Sequence, residues 1–232
     1  APARPAPEPP AARRPAPAPR PAVPQVLAPR LPETPVAQTR QPPRIHPRVE
    51  SGYAAYLAGD LGRARADYQA ALQDESANRD ALLGLAAIDL RAGRFEVAEA
   101  AYLRLLQNDP TDAHAQAGLI ALRASRLDPL ATESRVKTLL AADPGANVLH
   151  FTLGNQLAQQ SRWAEAQQEY FKAFAAEPDN ADFAFNLAVS LDHLRQSKLA
   201  LEYYRRAIAL ADRRGASFEL ATARSRTEQL AR

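Results

Sequence analysis

The sequence predicts an all-α solenoid of about five helix–turn–helix units, closed by a C-terminal capping helix and preceded by a disordered, proline-rich tail. Three observations carry that prediction. Five segments align at a spacing of 34 residues, the mark of a chain that repeats one supersecondary unit. The aligned columns hold fixed residue types: small in one, aromatic in another, proline at the end of three units. Finally, 16 of the 20 prolines lie at or before Pro47, whereas no glycine precedes Gly52, so the tail and the body are different materials.

Residues 1–44 are mostly Ala, Pro and Arg, as in Pro15-Ala16-Pro17-Ala18-Pro19-Arg20-Pro21. Each proline lacks a backbone donor and drives the residue before it out of the helical region, so this segment is expected to be extended and without a core. In the polyproline regime, at about 3.1 Å per residue, it would reach on the order of 100 Å as a spacer. Its seven arginines against Glu8 and Glu33 give +5. The rest of the chain is then −2 within an overall net charge of +3, and the sequence pI of about 9.4 belongs to the tail. With no aromatic residue in the tail to stack on bases, no nucleic acid is expected as partner.

Each unit should place a small residue where two helices cross, an aromatic between neighbouring units, and a helix stop at its end. The first (45–78) has Gly52, Ala64 and Tyr68, with Gly59 at the turn and Ser76 in the closing-proline column. The second (79–112) has Ala86, Gly93, Ala98, Tyr102 and Pro110. The third (113–146) departs most, with Ile120 in the small column, Thr132 in the alanine column and Val136 in place of the aromatic. It keeps Asp128-Pro129, a capping residue and first-turn proline for a second helix, and Pro144 in register. The fourth (147–180) reads Leu153-Gly154, Leu157, Trp163-Ala164-Glu165-Ala166, Tyr170, Ala173 and Pro178. The fifth (181–214) has Ala188, Ala200 and Tyr204. First helices of about fourteen residues are expected. From Ala216 to the C-terminus a last helix should bury Phe218 and Ala221, leaving Arg224, Arg226, Glu228 and Arg232 to water.

In order and spacing these columns resemble the tetratricopeptide repeat (TPR) family over about residues 45–214. The resemblance implies a right-handed superhelix whose first helices line a concave groove that binds peptides or protein segments. The groove residues then follow as columns. Val49, Leu83, Ala117, Phe151 and Phe185 form one; Tyr53, Ala87, Ala121, Asn155 and Val189 a second. Tyr56, Leu90, Ala124, Ala158 and Asp192 form a third, and Asn186 and His193 also face inward. The groove should change from aromatic at the first unit, through small and apolar, to Phe plus amide at the fourth and fifth. Asn155 and Asn186 match the two asparagines with which TPR cochaperones clamp a peptide carboxylate. Phe151 stands where that clamp has a lysine, and Ala216 and Leu220 fill the other basic positions, so carboxylate capture is not expected.

Chemistry for catalysis is missing from the pattern. There is no cysteine, which removes disulfides, thiolate nucleophiles and Cys-ligated metals, and no phosphate-binding glycine loop, HExxH or GxSxG. His46, His114, His150 and His193 lack metal-ligand spacing, so no metal or other cofactor is expected. Asp89, Asp192, Glu165 and Glu202 read as solvated helix faces. No stretch reaches the roughly 18 consecutive apolar residues that would span a bilayer.

The expected function is therefore non-enzymatic, a scaffold for a protein or peptide partner. Lysine occurs only at 137, 172 and 198 beside abundant Ala, Arg and Pro, a bias of GC-rich bacterial genomes. A proline-rich spacer before such repeats, with the text from Leu149 to Leu194, resembles TPR proteins of MSHA-type and other type IV pilus or type II secretion systems. That resemblance implies pilus or secretion components as partners and the periplasmic side of the inner membrane as location, reached through an anchor upstream of Ala1. The missing initiator methionine fits a processed or trimmed N-terminus. A soluble cochaperone-like adaptor in the cytoplasm or periplasm, and a regulatory module of a larger enzyme, stay open as alternatives, as does self-association through an uncovered end at Tyr53 and Tyr56.

Overall fold

A computed structural model of the protein describes residues 45–124 and 126–231, and the side chain of Arg214 is not among them. The expected extended tail, residues 1–44, lies outside the described residues. Those described form an all-α solenoid without strands. Its helices are α1 (Pro47–Leu57), α2 (Leu61–Asp74), α3 (Arg79–Arg91), α4 (Phe95–Asn108), α5 (Ala113–Arg123) and α6 (Pro129–Ala142), then α7 (Asn147–Gln159), α8 (Trp163–Ala176), α9 (Ala181–His193), α10 (Ser197–Arg214) and α11 (Leu220–Leu230).

Local chemistry sets the helix ends. Asn78, Asp112, Asp128 and Asn180 each accept a hydrogen bond from a backbone N–H of the first turn that follows, at 2.7–3.2 Å, and a proline opens α6. Each such cap removes one of the orphan donors of a helix start and is worth about 1 kcal/mol. The turns inside four of the units share one device. A residue in the left-handed region, Gly59, Gly93, Ser161 or Arg195, reverses the chain, and the next N–H bonds five residues back, as Asp60 does to Ala55 and Arg162 to Leu157. This Schellman geometry satisfies carbonyls that would otherwise be left bare at the helix end. Position 127 of that column is Leu, and it does not take the left-handed conformation. Its N–H bonds instead to Arg123, α5 ends there, and the connection to α6 takes a different path.

Packing follows the small and aromatic columns. Tyr170 is buried, and a Cβ added at Gly154 would sit 2.5 Å from its ring. The absent side chain is what lets α7 and α8 close on each other. Tyr102 uses the next unit in the same way, pressing on Gly118 of α5. In the third unit the sizes are exchanged: Ile120 and Val136 are both buried, the bulk having moved from α6 to α5. The α5 and α6 backbones accordingly do not reach the close approach of the other four pairs, and α5 leans on α4 and α7 instead. Side chains still link them, with Arg135 donating to Gln116 at 2.9 Å.

Several expectations about single side chains need correction. Asp89 is 1% exposed, not solvated, and takes hydrogen bonds from Arg65 and Arg94, which offset the cost of burying its charge. The last helix begins at Leu220 rather than at Ala216; Ala223 is buried and Ala221 exposed. Arg226 is not left to water but forks onto Asp192 at 2.5 and 2.7 Å. The first helices are shorter than expected, 11 residues in α1 and α5 and 13 in α3, α7 and α9.

Candidate functional site

The inner faces of α3, α5, α7 and α9 enclose a cleft of about 860 Å³, within the usual range for ligand sites. Leu83 and Leu90 form one wall, Ala117 and Ala121 the middle, and Phe151, Asn155, Asn186 and Val189 the far wall. The spacing of 34 explains the convergence, because it returns each position to the same face one unit further along. Tyr102 and Tyr170 reach the floor from the second helices, over the bare backbones of Gly118 and Gly154.

The far wall is the more finely arranged. Phe151 packs at 4.8 Å from Phe183 and 5.8 Å from Tyr170, centroid to centroid. Such aromatic clusters hold their rings in fixed orientations. The Tyr170 hydroxyl donates to Asn155 Oδ1 at 2.9 Å, and burial pushes that phenol well above its ordinary pKa, so it remains a donor. With its oxygen engaged, Asn155 offers its amide N–H groups. Asn186 is the reverse, since its Nδ2 donates to the Asp182 carbonyl at 2.9 Å and its Oδ1 is left as acceptor. A donor on α7 and an acceptor on α9, the inner helices of successive units, match the alternating C=O and N–H groups of an extended peptide. Among the described residues, the lining holds no lysine, arginine or carboxylate. Its ionisable imidazole, His114, bonds to Arg79 at 2.9 Å and is held below its ordinary pKa by burial and then by the Arg79 charge.

Not every residue expected in the groove lies in this cleft. The Phe185 ring stacks on Phe218 at 4.2 Å with an interplanar angle of 4° and meets Tyr204 edge-on at 5.7 Å. Asp192 is clamped by Arg226, whose hydrogen bonds hold its carboxyl below the usual range. The C-terminal segment thus covers the end of the inner face where Phe185 and Asp192 were expected to line the groove. His193 lies flat on Trp163, with centroids 3.6 Å apart. Tyr53, Tyr56 and Ala87 line a separate groove at the first unit. Trp163 does line the main cleft, although it opens a second helix. The turn just before it carries it to the concave edge, and an indole beside a turn was the available signal.

Two tetratricopeptide repeat family models match the sequence, over residues 55–122 and 151–215, between them more than half of the chain. The chain belongs to the tetratricopeptide repeat family. The two TPR matches leave out residues 123–150, which contain α6. Among curated proteins the chain is 28% identical over 165 residues to the type IV pilus assembly protein PilF of Pseudomonas aeruginosa, covering 70% of this chain and 60% of the relative. It therefore spans less than two thirds of that protein. Among solved structures, a thermophilic TPR protein of Thermus thermophilus superposes with a TM-score of 0.60 at 20% identity, covering 79% of this chain and 97% of the other. The PilF structure from Pseudomonas aeruginosa gives 0.51 at 16% identity, over 79% and 86%. These superpositions show the shared TPR fold. No helix among the described residues is long and apolar enough to cross a membrane.

Proposed function

We propose that this TPR protein is a non-enzymatic scaffold that binds an extended segment of a partner protein in the cleft between α3 and α9, during assembly of a bacterial envelope machine such as a type IV pilus or a type II secretion system. The observation that carries the reading is the pairing of an apolar floor with one amide donor and one amide acceptor, Asn155 on α7 and Asn186 on α9, in the far wall of the cleft. Apolar surface supplies affinity and the two amides fix the register of a bound main chain. The absence of charge from the described lining favours a segment with aromatic or aliphatic anchors over a terminal carboxylate or a phosphorylated motif. The pilus assembly reading is supported by the similarity to PilF, and a location on the periplasmic side of the inner membrane accompanies it.

The test is affinity capture from solubilised envelope of the source bacterium with the full chain as bait, beside Phe151→Ala. Phe151 is half-buried at the cleft wall, and its removal should reduce recovery of pilus or secretion components about tenfold while leaving helicity intact. Equal recovery by both baits would move the site out of this cleft. Recovery of soluble chaperones alone would remove the envelope role.

A further inference from the structure

Buried polar groups in this solenoid are matched by partners, with one exception. Among the described residues nine polar or charged side chains are buried, and every one but Gln156 forms a hydrogen bond within the chain. Gln156, on α7, is 3% exposed and lines the main cleft, and its amide has no partner among the described residues. No fully enclosed side-chain nitrogen or oxygen among those residues lacks a partner, so this amide reaches the cleft space itself. The equivalent positions of the second and third units hold Ile88 and Leu122, so the fold at this place does not ask for an amide. An unpaired buried amide costs stability relative to an apolar side chain of its size.

The neighbouring third unit explains why the site is open. Val148, Thr152, Gln156 and Gln159 recur along α7 at spacings of four and three and share one face. On α3 and α5 the same face carries Gly84 and Gly118 and is covered by the preceding tyrosine, Tyr68 or Tyr102. For α7 the preceding residue is Val136, which has no ring to lay across it. Ala121 and Leu122 of α5 supply apolar walls to the same cleft.

We infer that Gln156 is the recognition residue of a subsite at the seam of α5 and α7, which takes a carboxamide side chain, glutamine or asparagine, from the segment bound in the main cleft; the inference rests on the scaffold reading of that cleft. Asn155 and Asn186 stand half-buried at the wall, within reach of a bound main chain, whereas Gln156 is recessed, so a side chain has to descend to it. A carboxamide offers one donor and one acceptor and satisfies both halves of the Gln156 amide. A charged head would be buried without a counter-charge, since the described lining has no lysine, arginine or carboxylate.

The test has two arms, both on the full chain. In urea unfolding, Gln156→Leu should raise the midpoint, because it removes an unpaired buried amide and installs the residue type of the equivalent positions. In binding, Trp163 is the sole tryptophan and lines the cleft, so its fluorescence reports occupancy without a label. The probes are three blocked heptapeptides of alanine and valine whose central residue is glutamine, leucine or glutamate. The glutamine peptide should bind about tenfold tighter than either of the others, and Gln156→Leu should remove that preference while leaving the leucine peptide bound. A lowered midpoint would make Gln156 a structural residue and overturn the inference, as would a preference that survives Gln156→Leu. If the three peptides bind equally and all are lost on Phe151→Ala, the scaffold reading of the cleft stands and the subsite alone fails. If none binds, the subsite fails and envelope capture decides the scaffold reading separately.

Discussion

The third and fourth units are neighbours of equal length, yet they hold themselves together in opposite ways. In the fourth, a bare Gly154 receives the buried Tyr170, Ser161 adopts the left-handed turn, and α7 and α8 close into a tight pair. In the third, Ile120 blocks the place of the glycine, Val136 withdraws from the place of the tyrosine, and Leu127 replaces the turn residue. Volume is conserved approximately while its location is not. The consequence is directional. α6 is tied forward, through Glu133 to Arg162 at 2.6 Å and to Gln160 at 3.1 Å, whereas α5 is tied backward, through Arg123 to Glu99. A repeat can thus lose the close backbone approach between its own two helices and keep its place in the stack, because in a solenoid each helix also has a neighbour in the adjoining unit.

That comparison can be broken most severely at the tyrosine. Tyr170→Ala leaves a cavity between α7 and α8 and removes the hydroxyl that orients Asn155, and should cost about 3–5 kcal/mol in urea unfolding. An unchanged midpoint would mean that the fourth unit is not held by its aromatic. The next largest effect is a transplant. Val136→Tyr overpacks against Ile120 and should destabilise by about 1–3 kcal/mol. Adding Ile120→Gly should recover a part of that, giving a coupling energy of about 0.5–3 kcal/mol in a double-mutant cycle. Additive costs would show that the two residues do not share one space.

A smaller effect is expected at the turns. Arg195 has φ of 61° where the first two units have glycine, so Arg195→Gly should stabilise by about 1 kcal/mol, while Gly93→Ala, at φ of 70°, should lose a similar amount. Thermal melts of the two variants give the sign. The last effect is electrostatic and is read through its pH dependence. Hydrogen bonding from Lys137, joined by Gln160 and Arg162 and opposed by burial, pulls the Glu133 carboxyl from its ordinary 4.5 down to about 2. A carboxylate depressed on folding stabilises the native state above its unfolded pKa, and that contribution is lost as pH falls through about 2. Glu133→Gln should therefore lower stability at neutral pH and flatten its decline between about pH 4.5 and 2, followed by hydrogen exchange in α6.

Much of the fold was legible because a 34-residue repeat is a constraint on columns, and columns survive without contacts being known. Gly154 and Tyr170 stood in the small and aromatic columns, and Ile120 and Val136 as departures from those columns, before any helix was placed. The groove was legible to the extent that it is made of first-helix positions: Leu83, Ala117, Phe151 and Asn155 share one cleft. It was illegible where other parts of the chain intrude. No column says that Phe218 lies on Phe185, that Arg226 grips Asp192, or that Trp163 comes round from a second helix to meet His193. The burial of Asp89 was equally hidden, since its charge is compensated by arginines 24 residues before it and five after.

The sequence by itself determined the period, the turns at Gly59 and Gly93 and the choice of small and aromatic positions, all of which follow from backbone geometry and residue volume acting within one or two units. Tertiary structure alone decided which inner-face positions remain open. That outcome depends on where the last helix settles and on which amide atoms are consumed internally, and both are set by contacts between residues that no local pattern links.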